Sequence, residues 1–185
     1  MILPIYAYGQ SVLKKQAVPI DADYPELATL IENMWETMYG AEGVGLAAPQ
    51  VGLSIRLFII DSTLMMKEGE EDKGFKQVFI NAEKIEETGT PWTYGEGCLS
   101  IPDITGDVER PAELRLRYRD ENFETHEKTF IGMNARVIQH EYDHIEGTLF
   151  TEKLKPLKKR MVQRKLDKIK KGEIKSRYRM RFTGR

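Results

Sequence analysis

Two histidines four residues apart, with a glutamate directly after the first, stand in the stretch QHEYDHIEG at 139–147. On a helix, residues i and i+4 share a face, so His140 and His144 can aim their imidazoles at one cation while Glu141 flanks an open coordination position. That layout suits metal-assisted hydrolysis, in which a carboxylate handles the proton of a water molecule. Two imidazoles alone do not complete such a site. The elongated pattern HExxHxxGxxH keeps its glycine here, Gly147, but has Phe150 where a third histidine belongs. A glutamate from a second helix is another solution, yet Glu146 and Glu152 lie too close to turn back easily, and Glu173 stands in a lysine-rich tail. The remaining soft ligand is Cys98, the only cysteine, inside EGCLSIP (96–102), where Gly95 and Gly97 permit close backbone approach. A thiolate plus two imidazoles leaves one position for water. A lone cysteine is otherwise a small buried hydrophobe, and it is the incomplete HExxH that turns the balance toward a ligand.

A second candidate for chemistry is GVGLAAPQ (43–50), which formally fits the dinucleotide pattern G-x-G-x-x-A. That signature follows a strand and opens a helix, whereas here a helix is expected before it and Pro49 stands inside the would-be helix. The physical reading is an extended segment whose glycines allow close approach, ending in Gln50, an amide able to donate to an oxyanion.

These residues need elements to hold them. MNARVIQHEYDHIEG has helical character, with Ala135, Ile138, Tyr142 and Ile145 on one apolar side and Gly147 as a stop. Asp21 to Gly40 reads as a helix with capping-box spacing at Asp23 and Glu26, and a core stripe of Leu27, Leu30, Ile31, Met34, Trp35 and Met38. SIRLFIID (54–61) and KQVFIN (76–81) read as strands around KEGEEDKG, a polar surface loop. AELRLRYR (112–119) and FETHEKTF (123–130) form an antiparallel hairpin with one wet face, His126 lying on its surface. From Pro156 a basic amphipathic helix turns Leu157, Met161, Leu166 and Ile169 inward.

A chain of 185 residues, 41% hydrophobic, suits one domain, 1–185, with 156–185 as a basic C-terminal helix and tail. No apolar run approaches the roughly 18 residues of a membrane helix, and MILPIYAYGQ lacks the features of a secretory signal, so a cytoplasmic protein is expected. The net charge of -1 conceals an asymmetry: residues 153–185 carry 15 Lys and Arg against two acidic residues. Such a tail suggests an acidic or nucleic-acid partner, or simply a solvated helix face and a loose end.

GVGLAAPQ, EGCLS and QHEYDH, in this order, resemble the three signature motifs of the peptide deformylases. The resemblance implies an α+β fold with antiparallel sheets packed around the HEYDH helix. It also implies hydrolysis of the formyl group from the N-terminal methionine of new polypeptides, releasing formate. Cys98, His140 and His144 would bind one divalent ion, Fe(II) in the cell, replaceable by zinc, nickel or cobalt. Glu141 would be the acid and base, with the Gln50 amide and the backbone N–H of Leu99 polarising the formyl oxygen. Gly43, Val44 and Gly45 would bind substrate, and Glu96 and Arg110 would form a supporting ion pair. Ile138 and Tyr142 are candidate walls for the methionine pocket. The partners implied are N-formylmethionyl nascent peptides and, through the basic helix, the ribosome; neither a membrane nor DNA is expected. Two other readings stand beside it: a zinc peptidase of the HExxH type, which needs a third His or Glu ligand, and an RNA-docking module with a vestigial site.

Overall fold

The computed structural model describes residues 1–68 and 73–183. Half of the loop expected at 67–74, residues 69–72, therefore falls outside the described residues. In chain order the elements are β1 (Ile5–Tyr6), α1 (Leu27–Gly40), β2 (Gly45–Ala47), β3 (Leu57–Asp61), β4 (Lys76–Thr88), β5 (Trp92–Cys98), β6 (Ile101–Arg110), β7 (Glu113–Arg119), β8 (Thr125–Ile131), α2 (Gly132–Ile145), α3 (Pro156–Lys171) and β9 (Met180–Arg181). An antiparallel sheet runs in the order β2-β3-β4-β7-β8, β5 and β6 form a separate antiparallel hairpin, and β1 pairs with β9. This is the expected α+β arrangement, except that the β1–β9 pair is parallel.

β3 explains the layering. Its residues LFIID are all buried, because a central strand covered on both faces has no solvent side. Phe58 and Ile60 join Phe79, Tyr118 and Phe130 against Ala135, Ile138 and Ile145 of α2. Leu57 and Ile59 face the other way, onto Met34 and Met38 of α1. The stripe expected on α1 is the one it buries or half-buries. Its start differs: α1 begins at Leu27, and Asp23 does not cap it. Pro25 disfavours helical backbone at Tyr24, and Glu26 takes a left-handed φ of 54° before the first turn.

The expected hairpin of β7 and β8 forms, with Tyr118 opposite His126, and its burial alternates residue by residue along β7. His126 is half-buried and bonds Asp120 at 2.7 Å. β4 overruns the expected strand by seven residues, since NAEKIEET pairs with β7 through irregular register while exposing its acidic side chains. On α3 the inward face is Val162, Leu166 and Ile169, packed on Ile104 and Val108 of β6. Leu157 and Met161 were expected inside, but they are 72% and 66% exposed. Positions 162, 166 and 169 already make a complete i, i+4, i+7 stripe, which leaves 157 and 161 off its edge. No described helix is long and apolar enough to cross a membrane.

Candidate metal centre and substrate cleft

α2 is buried on nearly every side, so its polar residues must find partners inside the protein. They find them on the β5–β6 hairpin. Cys98, at the end of β5, comes up against the helix with its Sγ 3.3 Å from His144 Nε2. One ligand atom from each of Cys98, His140 and His144 lies within 4.8 Å of the other two. Thiolate and imidazole bonds to one tetrahedral ion place their donor atoms about 3.6 Å apart, so the cluster fits a divalent metal.

The orientation of His140 is fixed from behind. Its Nδ1–H donates to Glu96 Oε2 at 3.0 Å, which turns Nε2 toward the cluster, where a bound cation would take the place of its proton. Burial opposes a charged His140, but the Cys98 thiol and the Glu96 carboxylate outweigh it and hold its pKa well above the ordinary value. The pocket is thus built to favour positive charge at that point. Burial, then His140 and Arg110, push His144 well below the ordinary histidine range.

Glu96 is the hub of this support. Arg110 donates to both of its oxygens, at 2.7 and 2.9 Å, so the expected ion pair is present as a buried fork. Burial alone would raise the Glu96 pKa, and the bonds from Arg110 and His140 overcome that and keep the carboxyl well below the usual range. Two members were not anticipated. Arg136 donates to Glu96 Oε1 and the Val108 carbonyl, both at 2.9 Å, and lies 4.3 Å over the Trp92 ring. Asp143 accepts from Arg110 at 2.8 Å. Asp143 stands inside the quoted HEYDH, and its spacing from His140 carries no signal for an arginine 33 residues upstream.

Glu141 is 4% exposed, and its Oε2 is buried without a hydrogen-bond partner among the described residues. Burial pushes its carboxyl up to about 7, poised to exchange a proton near neutrality. Gln50 is held in one orientation: its Oε1 accepts from the Ala47 N–H at 2.9 Å, which turns Nε2 toward Cys98 Sγ and Ser100 Oγ at 3.4 and 3.3 Å.

Gly45 of β2 and Gly43 just before it make the close approach expected of them. A Cβ on Gly45 would stand 2.5 Å from Glu141 Oε1, and one on Gly43 would stand 2.7 Å from Leu99 Cδ1. Gly45→Ala is expected to displace Glu141 and lower turnover by at least about tenfold, the scale set by a small misplacement of a proton-transfer group, with metal content unchanged. Metal analysis beside steady-state kinetics checks this, and full activity would mean that Glu141 has room to move without loss.

Gln50, Glu96, Cys98, Arg136, His140 and Glu141 open into one cleft of about 490 Å³, with His144 buried behind it, and its apolar wall includes Val44, Met65, Leu99, Ile101 and Val137. Ile138 and Tyr142 are not in that wall. Ile138 points into the sheet core, and Tyr142 faces Arg56 and the backbone of Lys84. On a helix, the face carrying His140, Glu141 and His144 brings Val137 into the cleft and turns Ile138 away.

The profile described as polypeptide deformylase matches residues 2–160. The chain belongs to that family. It is 56% identical to the peptide deformylase of Christiangramia forsetii, over 98% of this chain and 96% of the relative. Its fold is similar to the crystal structure of a peptide deformylase from Legionella pneumophila, with a TM-score of 0.81, 39% identity, and 94% and 98% of the two chains covered. It is also similar to a class I type b peptide deformylase from Acinetobacter baumannii solved with Met-Ala-Ser bound. There the TM-score is 0.75 and the identity 35%, over 83% of this chain and 99% of that one. Enzymes of this family use a divalent metal, and the Cys98, His140, His144 cluster, of which Cys98 and His140 line the cleft, is the group of described residues that answers to it there.

Proposed function

We propose that this enzyme, which removes the N-formyl group from newly made polypeptides, works in the cytoplasm with Fe(II) held by Cys98, His140 and His144, and that zinc, nickel or cobalt can take its place. The observation that carries the residue assignment is the meeting, at the floor of one cleft, of the Cys98 thiol, the His140 imidazole and a buried carboxylate with a free oxygen, with the His144 imidazole within 4.8 Å of the thiol and of His140. A divalent ion held by Cys98, His140 and His144 would supply Lewis acidity, which in suitable sites brings the pKa of water toward about 7. Glu141 takes the proton released by the attacking water and passes it to the leaving nitrogen, so that the C–N bond breaks to give formate and a free amine. Gln50 Nε2 and the Leu99 N–H donate to the formyl oxygen as negative charge builds on it. β2, at the edge of the five-stranded sheet, and the Gly43–Val44 segment leading into it present Gly43, Val44 and Gly45 to the peptide backbone, which can pair as an added strand.

Gln50→Leu is expected to lower kcat by roughly 10²- to 10³-fold with KM little changed, because the lost donor acts on charge present only in the transition state. Kinetics showing kcat within twofold of the wild type would remove Gln50 from that role. The function itself is tested by anaerobic purification, metal quantification and formate release from a formyl-methionyl peptide beside its acetylated control. Release confined to the formyl peptide and proportional to bound metal supports the reading. No release from fully metallated protein sinks it.

The ribosome is the partner proposed for α3, whose exposed Leu157 and Met161 stand among seven exposed lysines and arginines of Pro156–Lys171. Binding to ribosomes should weaken steeply with salt, as phosphate contacts do. Co-sedimentation that is absent at low salt would exclude it.

A further inference from the structure

The family profile ends at residue 160, yet the chain beyond α3 takes part in the cleft. Gly172, at a φ of 70°, ends α3, and EIKSRYRMRFT (173–183) turns back across the molecule. Its even-numbered residues, Ile174, Ser176, Tyr178, Met180 and Phe182, are half-buried, and its odd-numbered residues are exposed. β9 is tied to β1 by Ile5 N–H to the Arg179 carbonyl and Ala7 N–H to the Arg181 carbonyl, both 2.9 Å, while Met180 and Phe182 pack on the α3 core. Ile174, before Tyr178, packs on the same core, so the segment is anchored on either side of Tyr178 by contacts that do not involve its hydroxyl.

That hydroxyl donates to the Leu99 carbonyl at 2.7 Å. Leu99 lies in the turn between β5 and β6, where the ladder shifts register between Glu96 and Cys98, so regular pairing does not hold it. The next carbonyl, Ser100, accepts from the Tyr8 N–H at 2.9 Å. Two successive peptide units beside the metal ligand Cys98 are thus clamped by the N-terminal and C-terminal segments. Lys175, Ser176, Arg177 and Tyr178 line the same cleft as Cys98, His140 and Glu141.

We propose that the C-terminal segment Lys175–Tyr178 is a working wall of the substrate cleft, and that Tyr178 is a positioning residue that holds the Leu99 backbone where its N–H meets the formyl oxygen. The inference rests on the deformylase reading and on the role given to Leu99. Burial, then the neighbouring Cys98 and Asp103, raise the Tyr178 pKa, so the phenol stays a donor throughout the working pH range.

The test is Tyr178→Phe in the full chain, which removes one oxygen and keeps the ring. The expected result is a fall in kcat of about fivefold to tenfold, the scale of one positioning hydrogen bond, with KM unchanged. Metal content and melting temperature should match the wild type, and the Leu99 amide resonance of zinc-loaded protein should move. An unchanged kcat overturns the proposal, as does a loss that tracks raised KM, lowered metal content or a lower melting temperature. No formate from the wild type would overturn the functional reading and this inference together, whereas an active wild type with an equally active Tyr178→Phe overturns only the role of Tyr178.

Discussion

Replacing Glu141 with glutamine is expected to leave the metal bound and the fold intact while formate release falls by about 10³-fold or more, near the upper range for a lost acid and base. The carboxyl makes no hydrogen bond through Oε2 and sits 4% exposed, so the protein carries the desolvation of a charge that His140 and Arg110 nearby offset only in part. Removing that charge relieves a cost, and the melting temperature should hold or rise. Stability and activity then move apart, which is the mark of a group retained for chemistry. The raised pKa, driven first by burial, points the same way, because a carboxyl near 7 can both take and return a proton. Metal analysis, a melting curve and formate kinetics on one preparation check all three statements. A glutamine variant that loses its metal would make Glu141 a ligand or a support for one; a variant that keeps its turnover would move proton transfer elsewhere.

The parts of this site that could be read from the sequence are those written in local spacing. His140 and His144 declare a helical face, and the apolar periods of α1, β7 and α2 declare which sides are buried, because each follows from 3.6- or 2-residue geometry. Cys98 was reachable because it is the only cysteine of a chain whose HExxH lacked a ligand, and its assignment rested finally on the three motifs together. Arg136 and Asp143 were out of reach. Their partners, Glu96 and Arg110, lie 40 and 33 residues away and meet them only after the β5–β6 hairpin has folded onto α2. Ile138 was misplaced for the converse reason, since periodicity shows that a residue is buried without showing whether core or cleft buries it.

The C-terminal segment shows a signal that was present and passed over. EIKSRYRMRFT alternates apolar or small residues with basic ones, the period of a half-buried strand, yet its heavy positive charge suggests a solvated tail. The structure satisfies both patterns: arginines face solvent while Tyr178, Met180 and Phe182 face the protein. Charge patterning describes one side of a strand and says nothing of the other.

Cys98→Ala is the second variant with a large expected effect, on metal content and through it on stability. Cys98 is the one member of the cluster that does not come from α2, so it is the bond by which an ion would staple the β5–β6 hairpin to the helix. Without it two imidazoles remain, and metal measured after purification should fall from about one ion per chain to a small fraction of that. Binding to the folded state alone stabilises it by about 4 kcal/mol when free metal is a thousand times Kd. For a chain of this size that corresponds to a melting temperature higher by roughly 8–16 °C. A chelator should therefore lower the melting temperature of the wild type by about that amount and leave Cys98→Ala nearly unmoved. The same thiol makes the loaded site sensitive to oxidation, since oxidised sulfur is a poor ligand, and aerobic preparations should lose iron and activity in step. A Cys98→Ala protein that binds a full equivalent of metal, and whose melting temperature responds to chelator like the wild type, would remove the thiol from the ligand set and return the third position to Glu141 or to a residue outside this cleft.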